Sequence, residues 1–177
     1  DIVKEAEKFS DAIHFEIGQP DLPPSPLVKQ ALHHAIDENR FSYTQSHGLV
    51  ALRQKIAHHY KITYNVDVDI EQIFLTPGTS GAFLIAYALT LGKDSTLGFS
   101  DPSYPCYKNF AYLLDIKPCF MPIGTSSNFE LHVSDLEQHA LSAVQISSPA
   151  NPTGNIYDAN TLKSLVEYCE KNNIAFI

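Results

Sequence analysis

The sequence predicts an α/β fold, a three-layer α-β-α arrangement around a mostly parallel sheet, preceded by a short N-terminal arm and helix. Short apolar runs alternate along the chain with segments of helical period, the pattern of strand-helix units that build a sheet covered on both faces. Each apolar run ends in a cluster of Gly, Pro, Ser, Thr or Asn, residues that stop a ladder and turn the chain. With 177 residues, 44% of them hydrophobic and 18% charged, the chain can close one ordinary core.

Residues 1–25 read as the arm, with Phe15-Glu16-Ile17 leading to a turn at Gly18-Gln19-Pro20-Asp21, and residues 26–177 as the layered domain. Ser25-Pro26 is an N-cap followed by proline at the first helical position, and Leu27, Val28, Ala31, Leu32, Ala35 and Ile36 recur with helical period to about Asn39. A second helix follows Gly48, with Leu49, Leu52, Ile56 and Tyr60 on one face. Ile73 to Thr76 is expected to be a short buried strand, Pro77 to Gly81 a loop, and Ala82 to Leu91 an apolar helix. The alternation continues with strand Ser95 to Ser100, helix Ser103 to Leu114, strand Lys117 to Pro122, and a short helix capped by Ser134. Strand Ala143 to Ser147, a helix from Asp158 to Asn172 and the start of a strand at Ile174 complete the order. An apolar strand running to the last residue, with no loop after it, suggests a truncated protein.

Composition narrows the function classes. Twelve Lys and Arg against 20 Asp and Glu, a net charge of -8 with no basic run, argue against nucleic acid or an anionic membrane as partner. No apolar stretch approaches the roughly 20 residues of a membrane span, and no signal peptide is visible, so a cytoplasmic protein is expected. Cys106, Cys119 and Cys169 are far apart and read as buried free thiols. The pairs His33-His34 and His58-His59 splay by about 100° around a helix and cannot chelate one ion, so no metal site is expected.

Chemistry concentrates at the ends of the predicted strands, where open α/β sheets bind ligands. Gly78-Thr79-Ser80-Gly81 stands between a strand and a helix, where N–H groups and hydroxyls favour an anion; the same residues would also serve as a capped helix start. It is neither a Walker loop nor a G-x-G-x-x-G fingerprint. Asp101-Pro102-Ser103-Tyr104-Pro105 holds an aromatic ring between prolines, either a stacking platform or a rim residue. SSPANPTGN, residues 147–155, ends a strand on a proline-stiffened corner that presents the Asn151 amide. Anion nest, aromatic face and fixed amide together describe a pocket for a flat, phosphorylated aromatic cofactor.

The ordered motifs IGQPD, YTQSHGLVALR, TPGTSGA, DPSYPCY and NPTGN make the chain, from about Phe15 to its end, resemble the N-terminal half of class I/II aminotransferases. These are fold type I enzymes dependent on pyridoxal 5'-phosphate. The resemblance implies the large domain of that fold, incomplete here, and a homodimer with shared active sites. It implies that Gly78, Thr79 and Ser80 hold the cofactor phosphate, that Tyr104 stacks on its ring, and that Asn151 bonds its 3'-oxygen. Tyr43 would reach the phosphate of the other subunit, and Gly18, with Asn151, would line the site of the substrate carboxylate. Asp101-Pro102 and Asn151-Pro152 are expected to be cis.

The resemblance also implies four groups beyond Ile177: an aspartate for the pyridine nitrogen, a tyrosine, the Schiff-base lysine, and an arginine for the α-carboxylate. No lysine here, Lys108 and Lys163 included, has the small-residue and serine setting of that lysine. The expectation is therefore a full-length enzyme moving an amino group between an amino acid and a 2-oxo acid, and an isolated 177-residue chain that binds the cofactor weakly and does not turn over. Relatives that cleave C–S bonds by β-elimination or racemise share these motifs. A non-catalytic sensor or dimerisation unit, usually preceded by a basic DNA-binding segment, and a Rossmann-type nucleotide binder are the readings from other classes.

Overall fold

The computed structural model describes residues 2–16, 18 and 20–177, which fall into two compact units, Asp1–Ser46 and His47–Ile177. The expected run through Ile17 and the turn containing Gln19 include positions outside the described residues.

The first unit contains α1 (Ile2–Ala6) and α2 (Pro26–Asp37). The start of α2 is the expected one: Ser25 Oγ accepts from the Leu27 N–H at 3.2 Å, and Pro26 occupies the first turn, where its missing N–H costs nothing. No residue of α2 is buried, and its apolar stripe of Leu27, Val28, Leu32 and Ile36 is exposed.

The second unit carries α3 (Val50–Tyr64), α4 (Gly78–Thr90), β1 (Thr96–Asp101), α5 (Cys106–Leu113), β2 (Lys117–Pro122) and α6 (Val133–Leu136). It ends with β3 (Ala143–Gln145), α7 (Ala159–Lys171) and β4 (Ala175–Phe176). The four strands form one parallel sheet in the order β2-β1-β3-β4. Alternation along the strands divides the core between two faces. Leu97 and Phe99 of β1 and Ala143 of β3 pack with Tyr87 of α4 and with Tyr107 and Ala111 of α5. On the other face, Met121 of β2 and Val144 of β3 pack with Leu136 of α6 and with Leu165 and Cys169 of α7. This is the expected three-layer α/β arrangement.

Gly98 sits where β1 meets the second face. A Cβ there would stand 2.9 Å from Met121 Cε and 3.0 Å from the Leu141 methyls, so any larger residue at the sheet's centre would have to push these side-chain ends aside. Between the first face and the sheet the buried polar groups of Tyr87 and Gln145 are paired: the Tyr87 hydroxyl donates to Gln145 Oε1 at 3.3 Å, and Gln145 Nε2 donates to the Ile146 carbonyl at 3.1 Å.

Several expectations are corrected. Ile73 to Thr76 is not a strand; it finds no ladder among the described residues and is tied instead by the Leu75 N–H, which donates to the His47 carbonyl at 3.1 Å. Gly78-Thr79-Ser80-Gly81 is not a loop but the first turn of α4, because Gly78, at φ 78°, lets the chain enter the helix directly after Pro77. The expected apolar face of α3 is only partly covered: Ile56 is half-buried, Leu49, Leu52 and Tyr60 are exposed, and the one buried residue of the helix is Arg53, which shares the face of Leu49, Ile56 and Tyr60. Residue His132, not Ser134, precedes α6, with its N–H donating to Asp135 Oδ2 at 2.8 Å. Only Cys169 of the three thiols is fully buried; Cys106 and Cys119 are half-buried.

Candidate functional site

The sheet order creates the site. From β1 the chain passes through α5 to β2 on one side, whereas β3, the other neighbour of β1, is followed by α7 on the opposite face. The segments after β1 and β3 therefore part, and a crevice opens at their carboxyl ends, the switch point at which open α/β sheets receive ligands. Here the crevice is about 310 Å³ and is lined by Thr79, Phe83, Tyr104, Tyr107, Ser147 and Asn151.

Each lining residue is delivered by an identifiable local device. Thr79 lies in the first turn of α4, whose N-cap, Pro77, offers no capping side chain. Among the described residues, the N–H groups of Thr79 and Ser80 find no protein acceptor, so this helix start presents free donors and the positive end of the helix dipole. Phe83 follows Thr79 by one helical turn and so shares its face.

Tyr104 is half-buried just before α5, and its ring meets that of Tyr107 edge to face, with centroids 5.5 Å apart and an interplanar angle of 78°. Tyr107 is itself buried between Phe83, at 5.1 Å, and Phe99, at 6.2 Å. The neighbouring Cys106, through a side-chain hydrogen bond first of all, raises the Tyr104 phenol above its ordinary range. Burial raises that of Tyr107 against a hydrogen bond to Ser147, which lowers it. Both rings are neutral at pH 7.

Asn151 stands on a corner fixed from both sides. The Ala150 N–H donates to the Asn155 carbonyl at 2.9 Å, the Gly154 N–H to the Ala150 carbonyl at 2.7 Å, and Ser147 Oγ to the Pro149 carbonyl at 3.0 Å. Thr153 Oγ1 bonds Asn155 Oδ1, and Asn155 Nδ2 donates to the Phe129 carbonyl at 2.9 Å, tying the corner to the polar loop after β2. Asp101-Pro102 and Asn151-Pro152 are both cis, and so is Ser148-Pro149.

Three sequence-predicted residues, Thr79, Tyr104 and Asn151, thus come together in one crevice. Gly78 and Ser80 flank Thr79 in the same helical turn without lining it, and Gly18 and Tyr43 belong to the first unit, both exposed. Sequence reasoning missed Phe83, Tyr107 and Ser147. The spacing from Thr79 would have found Phe83 had the helix been started at Gly78, and Ser147 opens the very strand end that supplies Asn151.

A second depression, about 330 Å³, opens at the amino ends of β3 and β4 beside Ser142, Cys169 and Ala175. It has neither a helix N-terminus nor an aromatic platform. Among the described residues, no helix is long and apolar enough to cross a membrane.

Comparison with known proteins converges with this geometry. The sequence profile described as aminotransferase class I and II matches residues 10–177. The chain is 29% identical to an aspartate aminotransferase of Sulfurisphaera tokodaii over 184 aligned positions, covering 100% of this chain and 46% of that protein. It is 33% identical to a (5-formylfuran-3-yl)methyl phosphate transaminase of Methanocaldococcus jannaschii, covering 97% of this chain and 45% of that one. The crystal structure of an aminotransferase from Mycobacterium tuberculosis superposes with a TM-score of 0.93 at 27% identity, over 99% of this chain and 48% of the other. The chain thus spans about half the length of the relatives it matches. By profile, sequence and fold, it belongs to the class I and II aminotransferases, a family dependent on pyridoxal 5'-phosphate.

Proposed function

We propose that the protein carrying this chain moves an amino group between an amino acid and a 2-oxo acid, with pyridoxal 5'-phosphate as cofactor, and that the unit His47–Ile177 supplies one wall of the cofactor site. The observation that carries the reading is the convergence of Thr79, Tyr104 and Asn151, from three separate segments, on one crevice.

The residues present fit the cofactor. Unpartnered N–H groups and the hydroxyls of Thr79 and Ser80, at the uncapped start of α4, suit a phosphate; among the described residues no cation lines the crevice, so these donors and the helix dipole are what this lining offers to its charge. Half-buried Tyr104, neutral and held edge-on by Tyr107, suits the face of a pyridine ring. The Asn151 amide, on a corner tied by the hydrogen bonds of Ala150, Gly154 and Ser147, can donate to a phenolic oxygen. When bound, the cofactor supplies an electron sink for the substrate's α-carbon. By the same reading, Gly18 lines the substrate carboxylate site, and Tyr43, fully exposed in the first unit, donates to the phosphate of a second copy in a homodimer.

Among the described residues no lysine lines the crevice, so covalent anchorage and α-proton transfer fall to groups outside this lining. On this reading the 177-residue chain by itself holds the cofactor through phosphate and ring contacts and forms no keto acid. Equilibrium dialysis against pyridoxal 5'-phosphate, with a keto-acid assay on the same samples, tests it. The expected result is saturable binding that is weakened in each of the Thr79→Ala, Tyr104→Ala and Asn151→Ala variants. Unchanged affinity in all three variants would place the cofactor elsewhere and overturn the proposal.

A further inference from the structure

The start of α4 has a positional problem. The segment that leads into it, from Ile73 to Thr76, has no ladder among the described residues, so no sheet fixes its height or direction. What holds it is the stretch from His47 to Arg53. The His47 carbonyl takes the Leu75 N–H, and the His47 ring meets that of Phe74 with centroids 4.4 Å apart and planes at 65°. Gly48, at φ 93°, lets Leu75 pass: a Cβ on Gly48 would lie 2.4 Å from Leu75 Cδ1.

Arg53 closes the other end. It is buried in a helix otherwise almost wholly exposed, and its Nη1 donates to the Ile70 carbonyl at 2.8 Å and to Glu71 Oε1 at 3.2 Å. Glu71 Oε2 in turn lies 3.6 Å from His47 Nδ1. Nε of Arg53 is buried without a partner among the described residues. A buried guanidinium that leaves one donor unsatisfied is a poor way to gain stability, because desolvation offsets most of the attraction. It is, however, a directional way to fix a backbone carbonyl, since its planar fork permits few geometries.

From Leu75 the chain reaches the crevice through one tight turn, in which Thr76 Oγ1 donates to the Gly78 carbonyl at 2.7 Å and the Gly78 N–H donates to the Thr76 carbonyl at 2.8 Å. Thr79 follows at once. We propose that Gly48, Arg53 and Glu71 form a clamp that sets the position of the α4 N-terminus, making Arg53 a positioning residue for the phosphate end of the cofactor. The inference rests on the cofactor reading above, and it extends the site to residues that touch no ligand.

Phosphate dependence separates this role from simple stability. The protein and its Arg53→Met, Arg53→Lys and Glu71→Gln variants are dialysed against pyridoxal 5'-phosphate and, in parallel, against pyridoxal, which lacks the phosphate. Arg53→Met is expected to weaken binding of the phosphorylated compound about tenfold, the loss of one or two phosphate hydrogen bonds, with pyridoxal unaffected. Arg53→Lys, which keeps a cationic donor for the Ile70 carbonyl, recovers part of the loss. Glu71→Gln, at an exposed side chain that leaves the core intact, weakens the phosphorylated compound by about threefold and decides the matter if Arg53→Met does not fold. Equal weakening of both compounds, or no weakening of either, overturns the clamp while leaving the cofactor reading intact. Failure of the unsubstituted protein to bind pyridoxal 5'-phosphate overturns the cofactor reading, and the clamp's role with it.

Discussion

The ring edge of one tyrosine addresses the face of another: Tyr104 and Tyr107 stand with centroids 5.5 Å apart and planes inclined by 78°. Tyr107 is buried and packed against Phe83 and Phe99, so the half-buried Tyr104 rests on a closely packed neighbour that favours one plane for its ring. An aromatic platform is useful to a flat ligand only if its plane is set beforehand, because ordering it on binding costs affinity.

Replacing Tyr104 by Ala should therefore weaken cofactor binding by about 0.5–1.5 kcal/mol, roughly two- to tenfold, as expected for one aromatic pair. Tyr107→Leu should have a comparable effect without touching the cofactor's phosphate, since it frees the Tyr104 plane. Titration of each variant with pyridoxal 5'-phosphate checks both. A Tyr107→Leu protein that binds as tightly as the unsubstituted one would show that Tyr104 holds its plane unaided.

Asn151→Asp is predicted to be worse than Asn151→Ala. Alanine removes a donor, at a cost of about 1–3 kcal/mol for a hydrogen bond to a charged oxygen, whereas aspartate puts a second negative charge against a phenolate and a phosphate. Cofactor affinity of the two variants, measured side by side at pH 7 and at low ionic strength, gives the order. The reverse order would mean that Asn151 accepts rather than donates.

Gly98→Ala should destabilise the fold by about 1–3 kcal/mol, because its Cβ would press on Met121 and Leu141 at the centre of the sheet. Coupling it with Leu141→Ala, which vacates that space, should recover part of the loss. Chemical denaturation of the single and double variants measures the coupling; strict additivity would show that the two sites do not meet.

Alkaline stability should be limited by buried phenols. Burial raises Tyr87, Tyr107 and Tyr157 above the ordinary tyrosine value. A group whose folded pKa is raised binds its proton more tightly when native, so stability is full below the unfolded value of about 10 and falls as pH climbs above it. Denaturation midpoints should hold steady from neutral pH to about 9 and then drop, with tyrosinate absorbance rising in step with unfolding. Tyr87→Phe, at the least exposed of the three residues, should shift the decline to higher pH.

How much of this was legible in the sequence depends on the range of the forces involved. The start of α2 at Ser25-Pro26, the limits of β2 at Lys117 and Pro122, and the run of β1 were readable because capping, turn chemistry and alternation act between near neighbours. The lining residues Thr79, Tyr104 and Asn151 were readable for the same reason, each marked by glycine or proline at a strand end or helix start. The burial of Arg53, by contrast, contradicts its residue type and depends on Ile70 and Glu71, which come close only once the chain has folded back. The unladdered state of Ile73 to Thr76 likewise depends on which strands are present to pair with it, since an apolar run specifies an extended strand but not a partner.

By itself, then, the sequence determined the alternation of helices and strands, the breaks between them and the chemistry presented at each break. Tertiary structure alone decided that β1 and β3 are neighbours whose following segments leave by opposite faces, so that three distant breaks meet in one crevice. The physical reason is that local preferences fix dihedral angles, residue by residue, whereas strand order is chosen by burying both faces of the sheet at once, a property no short stretch of chain possesses.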